Sequence, residues 1–155
     1  MIDEIQVIPL RKFEDDRGWL LELRRESRLP KPTKQTNVSF SRKGVIRGLH
    51  YHERGQDDLF VCLEGTARVV VLDRESSQTF TMDIGDDNLV ALYIPGHLAH
   101  GFEALTDLLF CYHVTEEYDP SDPDENQIPW TDPRVRELWS TTSPILSQRD
   151  AAGAS

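Results

Sequence analysis

Five histidines fall among 155 residues, and three of them stand in the segments whose pattern is clearest. His50 and His52 lie at i and i+2 in GVIRGLHYHERGQDDLFVCLEG (44–65). On an extended chain that spacing turns both imidazoles to one face of a sheet. Asp58 follows six residues after His52, and His100 follows a Pro-Gly turn in IPGHLAHGF (94–102). Two chemistries suit this set. As ligands, His50, His52, Asp58 and His100 suit a divalent Fe, Mn, Ni or Zn, with coordination positions left open for substrate. As acid–base machinery, His50 suffices as the base, because imidazole titrates near ~6.5 and can remove a proton beside a carbonyl at neutral pH. Such a base needs a carboxylate to orient it and an acid on the other side of the substrate. Asp150 in ILSQRD (145–150) is available for the first task and Tyr112 in LLFCYHV (108–114) for the second.

These groups need a frame, and the chain reads as short strands throughout. Segments 5–8, 19–23, 35–40, 45–52, 59–63, 67–73, 78–84, 88–94 and 108–115 have strand character, and 94–102 supplies a further strand edge with His100. Glycine- and aspartate-rich turns separate them at short intervals, which predicts an all-β sandwich or barrel and argues against a parallel α/β sheet. RKFEDDRG (11–18) reads as a charged turn, and 26–34 as a loop broken by Pro30 and Pro32. QTNVSF (35–40) alternates as a half-buried strand does. VVVLD (69–73) is the only run apolar enough to be buried on both faces. From 116 onward the chain is rich in Asp and Pro and predicts a loop-rich C-terminal wrap around the barrel. It holds one or two helical turns at 134–139 and a frayed end at 151–155. The length fits a single domain, 1–155, and no internal repeat is visible.

Net charge is −10 and the pI is near 4.9. Nucleic acid, which binds basic surfaces, is therefore excluded as a partner. An anionic small ligand is not, because a few inward arginines outweigh a remote acidic surface. No run is long enough to span a bilayer, and MIDEIQVIPLRKF lacks the pattern of a signal peptide, so the expected location is cytoplasmic. Cys62 and Cys111 sit in apolar runs and are expected as buried free thiols. His97 and His113 are expected to be structural.

The chain resembles the dTDP-4-dehydrorhamnose 3,5-epimerase family, cupin enzymes of deoxysugar nucleotide metabolism. The matching pieces are DDRG (15–18), QTNVSFSRKGVIRGLHYH (35–52), HGF (100–102), YHVTEEYDP (112–120), WTDP (130–133) and LSQRD (146–150). They follow family order over nearly the whole length. The resemblance implies a cupin-type double-stranded β-helix, or jelly-roll, and a homodimer whose N-terminal strands pack on the partner's sheet. It implies His50 as base, Asp150 as its dyad carboxylate and Tyr112 as acid. Arg17, Glu22, Gln35, Asn37, Arg47 and His100 then fall on positions lining the site for a nucleotide-diphosphate sugar. An arginine fork suits a diphosphate on its own physics, which supports Arg17 and Arg47 independently. The implied reaction is epimerisation of a nucleotide-linked 4-keto-6-deoxyhexose at C3, C5 or both, with no organic cofactor.

Two positions depart from the pattern the resemblance implies. His52 replaces a neutral residue, and Asp58 falls where the family carries a lysine that steadies the enolate oxygen. A carboxylate there repels an enolate. Either a divalent metal or another cation restores the missing charge, or Asp58 turns to solvent. Three alternatives stay open: a 3,4-ketoisomerase on a similar substrate, a metal-dependent cupin isomerase or dioxygenase on another small molecule, and a sugar-nucleotide binding module without catalysis.

Overall fold

The computed structural model describes residues 2–153. Twelve strands occur among them: β1 (Gln6–Pro9), β2 (Lys12–Asp15), β3 (Gly18–Leu21), β4 (Gln35–Ser41), β5 (Ile46–Tyr51), β6 (Asp58–Glu64), β7 (Thr66–Leu72), β8 (Thr79–Gly85), β9 (Val90–Ile94), β10 (Ala99–Ala104), β11 (Leu108–Val114) and β12 (Asn126–Gln127). One five-stranded sheet runs β1-β9-β6-β11-β4 and a second runs β12-β5-β10-β7-β8, while β2 and β3 form a separate hairpin. Every strand-to-strand pairing is antiparallel. This is the expected all-β jelly-roll, in which the chain crosses between the sheets from β4 to β7 and from β8 to β11, with β7 and β8 paired in one sheet.

The core lies between the sheets, where Phe60, Leu92, Ile94 and Phe110 from the first meet Val69, Val71, Ile84 and Phe102 from the second. Phe102 and Phe110 stack across it at 4.0 Å between ring centroids. Two further apolar layers cover the outer faces. Val135, Trp139 and Leu146 of the C-terminal segment pack on Ile46, Leu49, Val70 and Leu72. Leu10, Leu23 and Leu29 pack on Leu59, Val61, Ala91 and Tyr93. The C-terminal wrap is thus a layer of the fold, held by side-chain burial and by hydrogen bonds from Ile145 to Gly44 and Ile46.

Several expectations are corrected here. Segment 11–18 is not a turn alone: it contains β2, paired with β3 across a tight reversal at 16–17. VVVLD is not the only run covered on both faces, because all of β10 and most of β6 and β9 are buried as well. β12 was not expected; its two residues pair with Tyr51 and His50. Residues 151–153 belong to a short helix, α1 (Gln148–Gly153), while 154–155 lie outside the described residues. The turn expected at 134–139 is a single 3-10 turn over Arg136–Leu138.

β4 alternates as expected, and it is the polar residues that face inward. Gln35, Asn37, Ser39 and Ser41 turn inward, whereas Val38 and Phe40 are 60% and 57% exposed. Since β4 is the edge of its sheet, the chain displays an apolar edge beside a polar interior wall.

Candidate active site

Between the sheets, at one end of the barrel, lies a cavity of about 810 Å³. β5 and β10 form one wall, β4, β6 and β11 face them, and the segments around 116–125 and 145–150 form the rim. Strand alternation settles the orientation of Tyr112. Phe110 and Tyr112 point inward, while Cys111 packs on the outer layer and His113 accepts or donates to Thr36 Oγ1 at 2.8 Å.

β5 does not alternate simply. His50 pairs with His100 and Arg47 with Phe102, so β5 carries one residue more than β10 between those pairs. This β-bulge turns both Arg47 and His50 into the cavity, which strict alternation forbids. Gly48 makes it possible: its φ is +129°, and a Cβ there would stand 2.7 Å from Gly101 Cα. Gly101 is constrained in return, since its own Cβ would collide with the Arg47 carbonyl.

The Nε2 of His50 lies 2.9 Å from Asp150 Oδ1. An ionised carboxylate can only accept, so Nε2 carries the hydrogen and Nδ1 is left with its lone pair. Burial pushes the Asp150 carboxyl up, yet the hydrogen bond and charge of His50, the Gly48 N–H and nearby Arg149 hold it below its ordinary value. α1 brings Asp150 to this point, and Asp150 is its buried residue. Arg149 grips Glu125 through two bonds of 2.7 and 3.0 Å, and Glu125 stands 3.7 Å from His50 Nδ1. Neither Arg149 nor Glu125 was picked out from the sequence. Arg149 lies within the LSQRD motif, but nothing in residue order marks Glu125.

On the facing sheet, burial raises the Tyr112 hydroxyl above the ordinary phenol range, with Asp58 and Glu125 adding to it. Tyr112 therefore holds its proton at neutral pH. Arg47 reaches across from β5 to β4, donating to Ser41 Oγ at 2.9 Å and to the Phe40 carbonyl at 3.2 Å. Gln35 and Asn37, bonded to each other at 3.0 Å, complete that wall.

His52, Asp58 and His100 form a second group on the lining, all buried. Asp58 therefore does not turn to solvent. Burial pushes its carboxyl up, but His100, His52 and the Gln56 amide hold it low; burial likewise depresses His100, and Asp58 reverses that. The four-residue ligand set divides: His50 belongs with Asp150, and only His52, Asp58 and His100 converge. Arg17 and Glu22 stand apart from the cavity. Arg17, at the tip of the β2–β3 hairpin, pairs with Asp15 and is 86% exposed; Glu22 pairs with Arg25 at 2.9 Å.

A jelly-roll cavity with a carboxylate-oriented imidazole on one wall and a protonated phenol on the other is an arrangement that can carry out acid–base chemistry. The comparisons name the kind. A family model described as dTDP-4-dehydrorhamnose 3,5-epimerase matches residues 1–155. The chain belongs to that family, whose members are isomerases. It is 42% identical over 149 residues to the spore coat polysaccharide biosynthesis protein SpsL of Bacillus subtilis, covering 91% of this chain and 98% of that protein. It is 36% identical over 164 residues to the dTDP-4-dehydrorhamnose 3,5-epimerase of Escherichia coli, covering 96% and 88%. The crystal structure of a dTDP-6-deoxy-D-glucose-3,5-epimerase from Legionella pneumophila, in complex with dTDP-4-keto-L-rhamnose, superimposes with a TM-score of 0.87 at 32% identity, covering 97% and 87% of the two chains.

Proposed function

We propose that this enzyme epimerises a nucleotide-linked 4-keto-6-deoxyhexose at C3, C5 or both, with His50 as base and Tyr112 as acid. The supporting observation is His50 on β5, paired with Asp150 of α1, facing Tyr112 on β11 across one cavity. His50 Nδ1 takes the proton alpha to the ketone, and the C–H electrons move onto the carbonyl oxygen as an enolate. Asp150 stabilises the imidazolium so formed. Tyr112 then delivers a proton to the opposite face, and solvent restores the phenol. The ketone itself acidifies the carbon, so no organic cofactor takes part in this scheme.

Gln35, Asn37, Arg47 and His100 are assigned to substrate binding, with Arg47 at the diphosphate. Arg17 and Glu22 reach a cavity only if a second copy presents them. The apolar edge of β4 and the exposed Phe13, Trp19 and Leu20 of the β2–β3 hairpin support such a homodimer.

Proton NMR of the enzyme with a dTDP-4-keto-6-deoxyhexose in D2O tests the reading. Loss of the C3 or C5 proton signal, abolished by His50→Ala, supports it and identifies the centre. An unchanged spectrum rejects it for that sugar, and a product with the carbonyl at C3 marks a ketoisomerase instead.

A further inference from the structure

The mechanism above leaves His52 and Asp58 without a task, although both are more than nine-tenths buried on the cavity wall, as is His100. One ligand atom from each lies within 4.8 Å of the others. Their orientation is more telling than their proximity. His52 donates Nδ1–H to the Asp124 carbonyl at 2.5 Å, and His100 donates Nδ1–H to the Leu98 carbonyl at 2.8 Å. With Nδ1 fixed in this way, both rings aim Nε2 at Asp58, at 3.7 and 3.2 Å. An outer hydrogen bond to a backbone carbonyl is how proteins set the tautomer and ring direction of a histidine that binds metal. We propose that His52, Asp58 and His100 bind a divalent transition-metal ion on the wall of the cavity.

Two imidazoles and a carboxylate form a donor set for a first-row ion, with further coordination positions facing the cavity. The space between the ligand atoms is bridged by protons in the metal-free chain. The Gln56 amide donates to His52 Nε2 at 3.1 Å and to Asp58 Oδ1 at 3.0 Å, and His100 Nε2 lies 3.2 Å from Asp58 Oδ2. Those hydrogens satisfy the same lone pairs that a cation engages. Gln56 lies two residues ahead of β6, and its side-chain amide occupies the position between the ligand atoms.

Charge supplies an independent reason for a cation here. Eight carboxylates and three arginines line the cavity, and no lysine does. Two of those arginines are engaged by lining carboxylates, Arg149 by Glu125 and Arg54 by Asp122. A diphosphate entering such a cavity meets net negative charge, which a bound divalent ion offsets.

Metal binding is measured without sugar, so its outcome is separate from that of the epimerase reading. Chelator-treated protein is titrated with Zn2+ by calorimetry and with Co2+ by visible absorption. One equivalent should bind, with cobalt bands of a nitrogen–oxygen site. His52→Ala and Asp58→Asn should each weaken binding by about a hundredfold or more, beyond the usual loss for an outer-shell change. His50→Ala should bind as the parent does. Gln56→Ala, which keeps all three ligands and removes the bridging amide, should bind at least as tightly; it serves as the check if a ligand variant fails to fold. The proposal is overturned if the parent shows no saturable site, or if binding survives in Asp58→Asn. A thiolate-to-cobalt charge-transfer band overturns it too, by placing the ion at Cys111 and His113, whose Sγ and Nε2 are 3.7 Å apart.

Discussion

His50 and Asp150 are a hundred positions apart in sequence, and their side chains meet at 2.9 Å. The strand that carries His50 belongs to the barrel, whereas α1, which carries Asp150, belongs to the wrap outside it. The bond joins two layers of the molecule and fixes which imidazole nitrogen faces the cavity.

Removing the base removes the reaction. His50→Ala should lower the rate of solvent exchange at the reacting carbon by about 10²–10⁴-fold, the range for a general base. An unaltered melting curve beside that loss separates chemistry from folding. Residual exchange within threefold of the parent would reassign the base.

Asp150→Asn keeps the size of the side chain and discards its charge. A hydrogen bond to a charged group contributes about 1.5–3 kcal/mol, so kcat should fall roughly ten- to hundredfold with little change in KM. Stability should respond to pH as well. The folded Asp150 carboxyl sits below its ordinary value, so its contribution is present above about pH 4 and is lost as pH falls through the folded pKa. Denaturant melts across the acid range should therefore show a shallower acid limb in Asp150→Asn than in the parent.

Tyr112→Phe separates the two half-reactions. His50 still removes the proton and can return a deuteron to the same face, so label enters recovered substrate while inverted product fails to accumulate. Equal product formation by parent and variant would show that another group is the acid. Because the Tyr112 hydroxyl is raised above the ordinary phenol range, its ionisation should not limit the rate below about pH 10.

The close approach of β5 and β10 depends on two residues without a Cβ. Gly101→Ala meets the Arg47 carbonyl, and Gly48→Ala meets Gly101 Cα in a left-handed conformation. Each should cost about 1–3 kcal/mol as overpacking does, read as a lower denaturation midpoint. Activity should fall as well, because the same bulge aims Arg47 and His50.

The apolar edge tests the assembly. Phe40→Asp and Val38→Glu should shift the sedimentation coefficient from dimer to monomer and weaken binding of a dTDP-sugar, through loss of Arg17 and Glu22 of the second copy. A parent protein that sediments as a monomer at micromolar concentration would exclude the dimer.

Much of the frame was legible because short apolar runs end at glycine–aspartate turns, and such punctuation is local. The edges of β5, β6, β7 and β11 differ from expectation by a residue or so. The failures are of another kind. The tripled apolar layers hid the burial of β6, β9 and β10, since a strand covered on both faces shows no alternation. Alternation in β4 reveals two faces without saying which one meets the core, and the inward sense of Gln35 and Asn37 was given only by the family resemblance. Arg47 was named through the family resemblance, but the bulge that brings it into the site adds a residue without leaving a periodic mark. His52, Asp58 and His100 were visible as candidates, but only the Nδ1 bonds of His52 to Asp124 and of His100 to Leu98 separate this group from His50.

The wrap has a consequence for how activity is acquired. Among the described residues, the ladders of the two sheets do not use 145–153, whose contacts to the barrel are the bridge of Ile145 to Val45, side-chain packing and the site itself. The dyad depends on that late piece. Barrel formation and the onset of turnover should therefore be separable in time. During refolding, far-ultraviolet circular dichroism should recover ahead of catalysis, and a population that looks native by spectroscopy can still be chemically silent.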